Sequence, residues 1–65
     1  MNRYANLDTD VLRRVIARYE KVIAGKQKLL TRVAPGSARY LKLARDAESY
    51  RALLKEAQEE LGRRA

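Results

Sequence analysis

The fold class that the sequence predicts is all-α: an antiparallel two-helix hairpin, coiled-coil-like, pairing into a four-helix bundle. Three observations predict it. Leu12, Val15, Tyr19, Val22, Lys26, Leu29 and Val33 recur at alternating steps of three and four residues. Tyr40, Leu43, Ala47, Tyr50, Leu54, Ala57 and Leu61 do the same. Between the two series lies Pro35-Gly36-Ser37. Steps of three and four place residues on one side of a helix, whereas a strand alternates every second residue. Ala, Leu, Arg, Lys, Glu and Gln, the good helix formers, fill both segments.

The chain of 65 residues reads as one domain, 1–65, with helix one over about 9–33, a turn at 34–37 and helix two over about 38–61. Asp8 is placed to cap helix one, and Asp10 in its first turn faces the positive end of the helix dipole. Leu7 and Leu12 stand where a hydrophobic staple forms. Pro35 disfavours α geometry at Ala34, so the first helix must end before it. Gly36 supplies a left-handed residue, and Ser37 is a good N-cap for the second helix. Gly62 is expected to end that helix, with Arg63 and Arg64 at its negative end.

Folding back at this turn sets a register. Val33 meets Tyr40, Lys26 meets Ala47, Tyr19 meets Leu54 and Leu12 meets Leu61, and large side chains often face small ones. At Lys26 the stem is expected to pack over Ala47 while the ammonium reaches Asp46 or Glu20. Tyr19, Tyr40 and Tyr50 read as seam residues, and Tyr4, ahead of the helix, as a partner contact. Ile16, Ile23 and Leu30 recur every seven residues beside the first seam, and Leu41 and Leu53 extend the second. We read these five as a surplus apolar interface, for a second copy or a larger protein. A chain this short without Cys or His has no disulfide or His/Cys metal site to lean on, which favours such an interface.

Gly25 raises an alternative. If helix one broke there, "GKQKLLTRV" and "ARYLKLA" would pair as strands and Asp46 would cap a short helix. With "AGK" at 24–26 and the spacing to "DAESYRALL", that α-β-β-α order resembles the small head–tail joining proteins of tailed phages. The resemblance implies a structural adaptor. In plan alone, the hairpin is similar to the plasmid-copy-control RNA-binding dimer and to a two-helix protein of the large ribosomal subunit.

Composition bounds the function. Fifteen Lys and Arg against eight Asp and Glu give a formal charge of +7. Such a balance favours nucleic acid or an acidic protein surface. Catalysis would need convergent acid, base or nucleophile groups, and no such motif is present, so a non-enzymatic role is expected. "APGSAR" has no Lys where a phosphate loop needs one. No cofactor, metal or small-molecule substrate is indicated. No apolar run is long enough for a bilayer, and "MNRYANLDTD" has no signal-peptide core, so an intracellular or virion location is expected, with no membrane contact.

The charge is unevenly placed. Lys21, Lys26, Lys28, Arg32, Arg39, Lys42 and Arg45 follow one another with no acid between Glu20 and Asp46. Arg14, Arg18, Lys21, Lys28 and Arg32 fall on one edge of helix one, with Gly25 filling the gap. Arg14, Arg18, Lys21, Lys28, Arg32, Arg39, Lys42 and Arg45 are therefore the candidate anion-binding residues. The function expected is a basic helical-hairpin module that contacts nucleic acid or a nucleoprotein assembly through its tip. An adaptor in a larger complex, or an inhibitor seated on an acidic protein, is the alternative.

Overall fold

The computed structural model describes residues 2–64. Two helices, α1 (Thr9–Leu30) and α2 (Ala38–Arg64), pack against each other as an antiparallel hairpin. Among the described residues there is no strand, and α1 runs without a break through Gly25. The α-β-β-α order is thereby overturned: both proposed strands carry helix-forming residues in heptad phase, and that periodicity prevails over a single glycine.

At the start of α1, Asp8 is extended (φ −61°, ψ 148°), and its carbonyl accepts the Leu12 N–H at 2.8 Å. Its side chain makes no capping hydrogen bond, so Asp8 caps through its backbone alone. The helix ends at Leu30, three residues before the expected Val33. There the Thr31 hydroxyl donates to the Lys28 carbonyl at 2.7 Å, satisfying one of the carbonyls that a helix end leaves open. The chain then needs room to become extended before Pro35.

The reversal itself follows from three residues. The Ser37 N–H donates to the Ala34 carbonyl at 3.2 Å, with Pro35 second and Gly36 third at φ 83°. Those are the features of a type II turn, which fixes φ with Pro and needs a positive φ next. Ser37 then caps α2, its hydroxyl oxygen accepting the Tyr40 N–H at 3.1 Å. α2 continues past Gly62 to Arg64. Gly62 does not take a positive φ, and Arg64 is held by Glu60 one turn back, so the expected stop does not operate.

The register expected from the sequence is present. Arg64 reaches Thr9 at 3.2 Å at the open end, and Lys26 reaches Asp46 at 3.7 Å towards the turn. The buried face of α1 is nonetheless rotated. Leu12, Ile16 and Ile23 are its buried residues, Leu30 is half-buried, and Leu29 is 42% exposed. Ile16 and Ile23 thus belong to the core of the hairpin and are not surplus. A helix turns the middle of its apolar stripe to its neighbour, and the middle lies between the Val and Ile series. Ile16 packs in one cluster with Leu12, Ala57 and Tyr4.

Tyr4 is the second departure. It is buried, and it closes the open end of the hairpin from within the N-terminal turn, so it is not free to meet a partner. The turn is tied down by Asn2, whose amide oxygen accepts the Tyr4 N–H at 2.8 Å and whose amide nitrogen donates to the Glu56 carbonyl at 2.8 Å. The whole measures 41 × 20 × 14 Å. Its smallest dimension is little more than one helix diameter, so each helix keeps a broad face to solvent.

Candidate anion-binding surface

All eight candidate basic residues are exposed: Arg14, Arg18, Lys21, Lys28, Arg32, Arg39, Lys42 and Arg45. Among the described residues the ion pairs are Arg3–Glu56, Lys26–Asp46, Arg63–Glu60 and Arg64–Glu60, and none involves any of the eight. The helical spacing explains the placement. At 100° per residue, Arg14, Arg18, Lys21 and Lys28 centre on the side of α1 opposite Leu12, Ile16 and Ile23. They occupy the back of the hairpin rather than the edge expected from the sequence, because the buried face has turned towards the Ile series.

Arg32 does not continue this row as a helical residue. It lies in the connection, where its N–H donates to the Leu29 carbonyl at 3.0 Å. Arg39 opens α2 on the far side of the turn, followed by Lys42 and Arg45. Arg32 and Arg39 therefore flank the closed end, and Lys28 sits in the last turn of α1, where a cation suits the negative end of the dipole. Gly25 lies within the basic row, and a Cβ built there meets nothing within 4 Å, so the glycine serves no packing contact inside the hairpin.

Lys26 is the one cation of the acid-free span that is drawn inward. Its ammonium is 3.7 Å from Asp46 and 5.8 Å from the ring centre of Tyr50. Tyr50 in turn meets Tyr19 at 5.7 Å, and Tyr19 meets Tyr4 edge-on at 6.4 Å. One line of aromatic and cation–π contacts thus runs along the helix interface.

The opposite end has a different character. Glu60 is buried and receives Arg64 at 2.9 Å, with Arg63 at 3.8 Å. Arg64 also donates to the carbonyls of Tyr4 (3.1 Å) and Ala5 (3.2 Å) and to the Thr9 hydroxyl. The i,i+4 spacing of Glu60 and Arg64 reads from sequence as a surface pair. Only the return of the N-terminal turn over α2 makes it an internal clamp. Arg3, Glu56, Glu60, Arg63 and Arg64 are thus paired at the open end, where acids and bases are mixed, while the acid-free cations around the closed end face solvent.

Among the described residues, no group of three or more metal-ligating side chains gathers, and no helix is long and apolar enough to cross a membrane. No protein-family model, curated protein or solved structure matches the chain.

Proposed function

We propose that this chain is a non-enzymatic, basic helical-hairpin module that binds nucleic acid, alone or within a nucleoprotein assembly. The observation that carries the reading is the charge asymmetry. The eight candidate cations, exposed and in no ion pair among the described residues, line the back of α1 and ring the turn. Six of them lie in the span with no acid between Glu20 and Asp46, whereas Arg13, Arg51 and Lys55, also exposed and unpaired, lie in segments that carry carboxylates as well. Unpaired surface cations release condensed counterions from a phosphate backbone on contact, and that release drives sequence-independent binding. Base readout has no support in the residue types: no Trp or Phe is present for stacking, and the basic row carries no Asn or Gln.

A hairpin one layer thick gains stability from a second copy, and we propose that two hairpins pair into a four-helix assembly. Leu30, Leu41 and Leu53 are the members of the expected interface left at least partly open, with Leu41 55% exposed. An adaptor role on a larger protein draws on the same residues, together with Leu29 and Val11.

Fluorescence anisotropy with a labelled duplex and a labelled single strand at 50 and 200 mM salt tests the nucleic-acid reading. Five or six phosphate contacts predict a loss of about a thousandfold in affinity between those salts. Arg32→Glu with Arg39→Glu should weaken binding at both. No binding at low salt, or an affinity indifferent to salt and to both substitutions, overturns it.

A further inference from the structure

We propose that the outer face of α2 is a self-complementary docking surface whose partner is the α2 of a second copy, packed antiparallel with Lys42 of each chain opposite Glu59 of the other. The inference rests on the pairing reading above and assigns it a surface. It does not depend on nucleic-acid binding, and in the paired form it leaves Arg14, Arg18, Lys21, Lys28, Arg32 and Arg39 as the residues open to an anionic partner.

Lys42, Arg45, Ser49, Ala52, Glu56 and Glu59 step by three, four, three, four and three along α2. That is a second heptad seam on the same helix, centred away from the one that packs on α1. Lys42, Arg45, Ser49, Ala52 and Glu59 are all exposed. The seam is graded along its length: cations near the turn, two small residues in the middle, carboxylates near the open end. Two shallow grooves of about 440 and 630 Å³ lie along it, one lined by Leu41, Lys42 and Arg45, the other by Ser49, Leu53 and Glu59.

The grading makes the face complementary to itself in one orientation only. A two-fold axis between Ser49 and Ala52 sets Lys42 against Glu59, Arg45 against Glu56 and Ser49 against Ala52. Each pairing occurs twice, as an isologous interface requires. A parallel arrangement sets like charge on like charge. The small residues at the centre let the two helices approach closely, and Leu53 lies beside them. From Lys42 to Glu59 the face runs about 25 Å at 1.5 Å per residue, so all these levels engage together. Charged residues on a seam choose orientation and register, and this seam carries both signs in the order that an antiparallel pair needs.

The back of α1 offers no such fit. Its row of Arg14, Arg18, Lys21 and Lys28 has one sign only, and two copies of it repel. Pairing through α2 leaves both α1 rows on the outside of the assembly. At the Arg45 level the match is shared, because Glu56 already holds Arg3 at 2.8 Å. Lys42 and Glu59 have no ion pair within the described chain, so they carry the test.

Sedimentation equilibrium on the full chain, Lys42→Glu, Glu59→Lys and the double variant decides it, with circular dichroism confirming that all four are equally helical. The wild type is expected to be dimeric at 100 µM. Each single reversal puts like charges at two places in the dimer and should weaken it about tenfold or more. The double variant restores opposite charges at both and should return to within about threefold of the wild type. A wild type that stays monomeric at 100 µM overturns the pairing reading and this surface together. A dimer that neither single variant weakens overturns this surface and leaves pairing elsewhere. Weak single variants without recovery in the double overturn the register.

Discussion

The hydroxyls of Tyr4 and Tyr19 lie 2.9 Å apart, joining the N-terminal turn to the middle of α1. Tyr4 is 6% exposed and belongs to the same cluster as Leu12, Ile16 and Ala57. A buried aromatic truncated to alanine leaves a cavity and loses its transfer energy, about 3–5 kcal/mol in larger cores. Tyr4→Ala should therefore destabilise by about 3 kcal/mol in urea unfolding, a large share of what a domain this small possesses. Tyr4→Phe keeps the ring and removes one hydroxyl contact, and should cost about 1 kcal/mol. Equal stability of wild type and Tyr4→Ala would show that the turn does not close the hairpin in solution.

The same contact sets an alkaline limit. Burial, then the hydrogen bond it shares with Tyr19, which is lost when the Tyr4 hydroxyl gives up its proton, pushes that hydroxyl up from 10.0 to about 12. A raised pKa means that the folded state holds its proton more tightly than the unfolded chain does. The stabilisation is thus complete below pH 10 and is lost as pH rises through about 12. Absorbance at 295 nm should show one of the four tyrosines ionising late, together with the loss of helical ellipticity. In Tyr19→Phe that late step should move to lower pH, because the hydrogen bond is gone. A Tyr4 contribution, read as the difference between wild type and Tyr4→Phe, that ionises near pH 10 with the helix intact would contradict the burial of Tyr4.

How far the sequence led is clearest at three places. The reversal at 34–37 was legible, because Pro35, Gly36 and Ser37 each have one strong local preference and all three agree. The end of α1 at Leu30 was not, because the heptad steps continue to Val33. The rotation of α1 was half legible. Both the Val15/Val22 and Ile16/Ile23 series were visible, but periodicity cannot say which part of a wide apolar stripe faces inward until the opposing small residues, Ala47 and Ala57, are in place. The N-terminal clamp was not legible. Tyr4, Asn2 and Arg64 carry no periodicity, and their contacts join residues more than fifty positions apart. For the candidate surface, the identity and exposure of the cations followed from composition and spacing. Their position on the back of α1 depended on the rotation.

Glu60 and Arg64 support a third prediction. Glu60 is 5% exposed, and its carboxylate faces Arg64 and Arg63. Removing one partner of a buried pair leaves the other charge unpaired, which costs about 3–5 kcal/mol. Here Arg64 stays partly solvated, so Glu60→Ala should cost about 2 kcal/mol, measured by chemical denaturation. Arg64→Ala should also release the carbonyls of Tyr4 and Ala5, and hydrogen exchange at residues 2–8 should rise more than in the middle of α1. Unchanged exchange in that segment would show that Arg64 does not hold the turn.

Gly25 and Gly36 answer to the same substitution in opposite directions. Gly25 sits inside a continuous helix with nothing within 4 Å of a built Cβ. Alanine there removes the entropic cost of a helical glycine, and Gly25→Ala should stabilise by up to about 1 kcal/mol. Gly36 has the same open surroundings but a φ of 83°, where an L side chain is strained. Gly36→Ala should therefore destabilise by about 1 kcal/mol or more, although no atom obstructs the new methyl group. Thermal melts of the two variants, run side by side, should move to opposite sides of the wild type. Two shifts of the same sign would refute either the continuity of α1 at Gly25 or the left-handed residue at the turn.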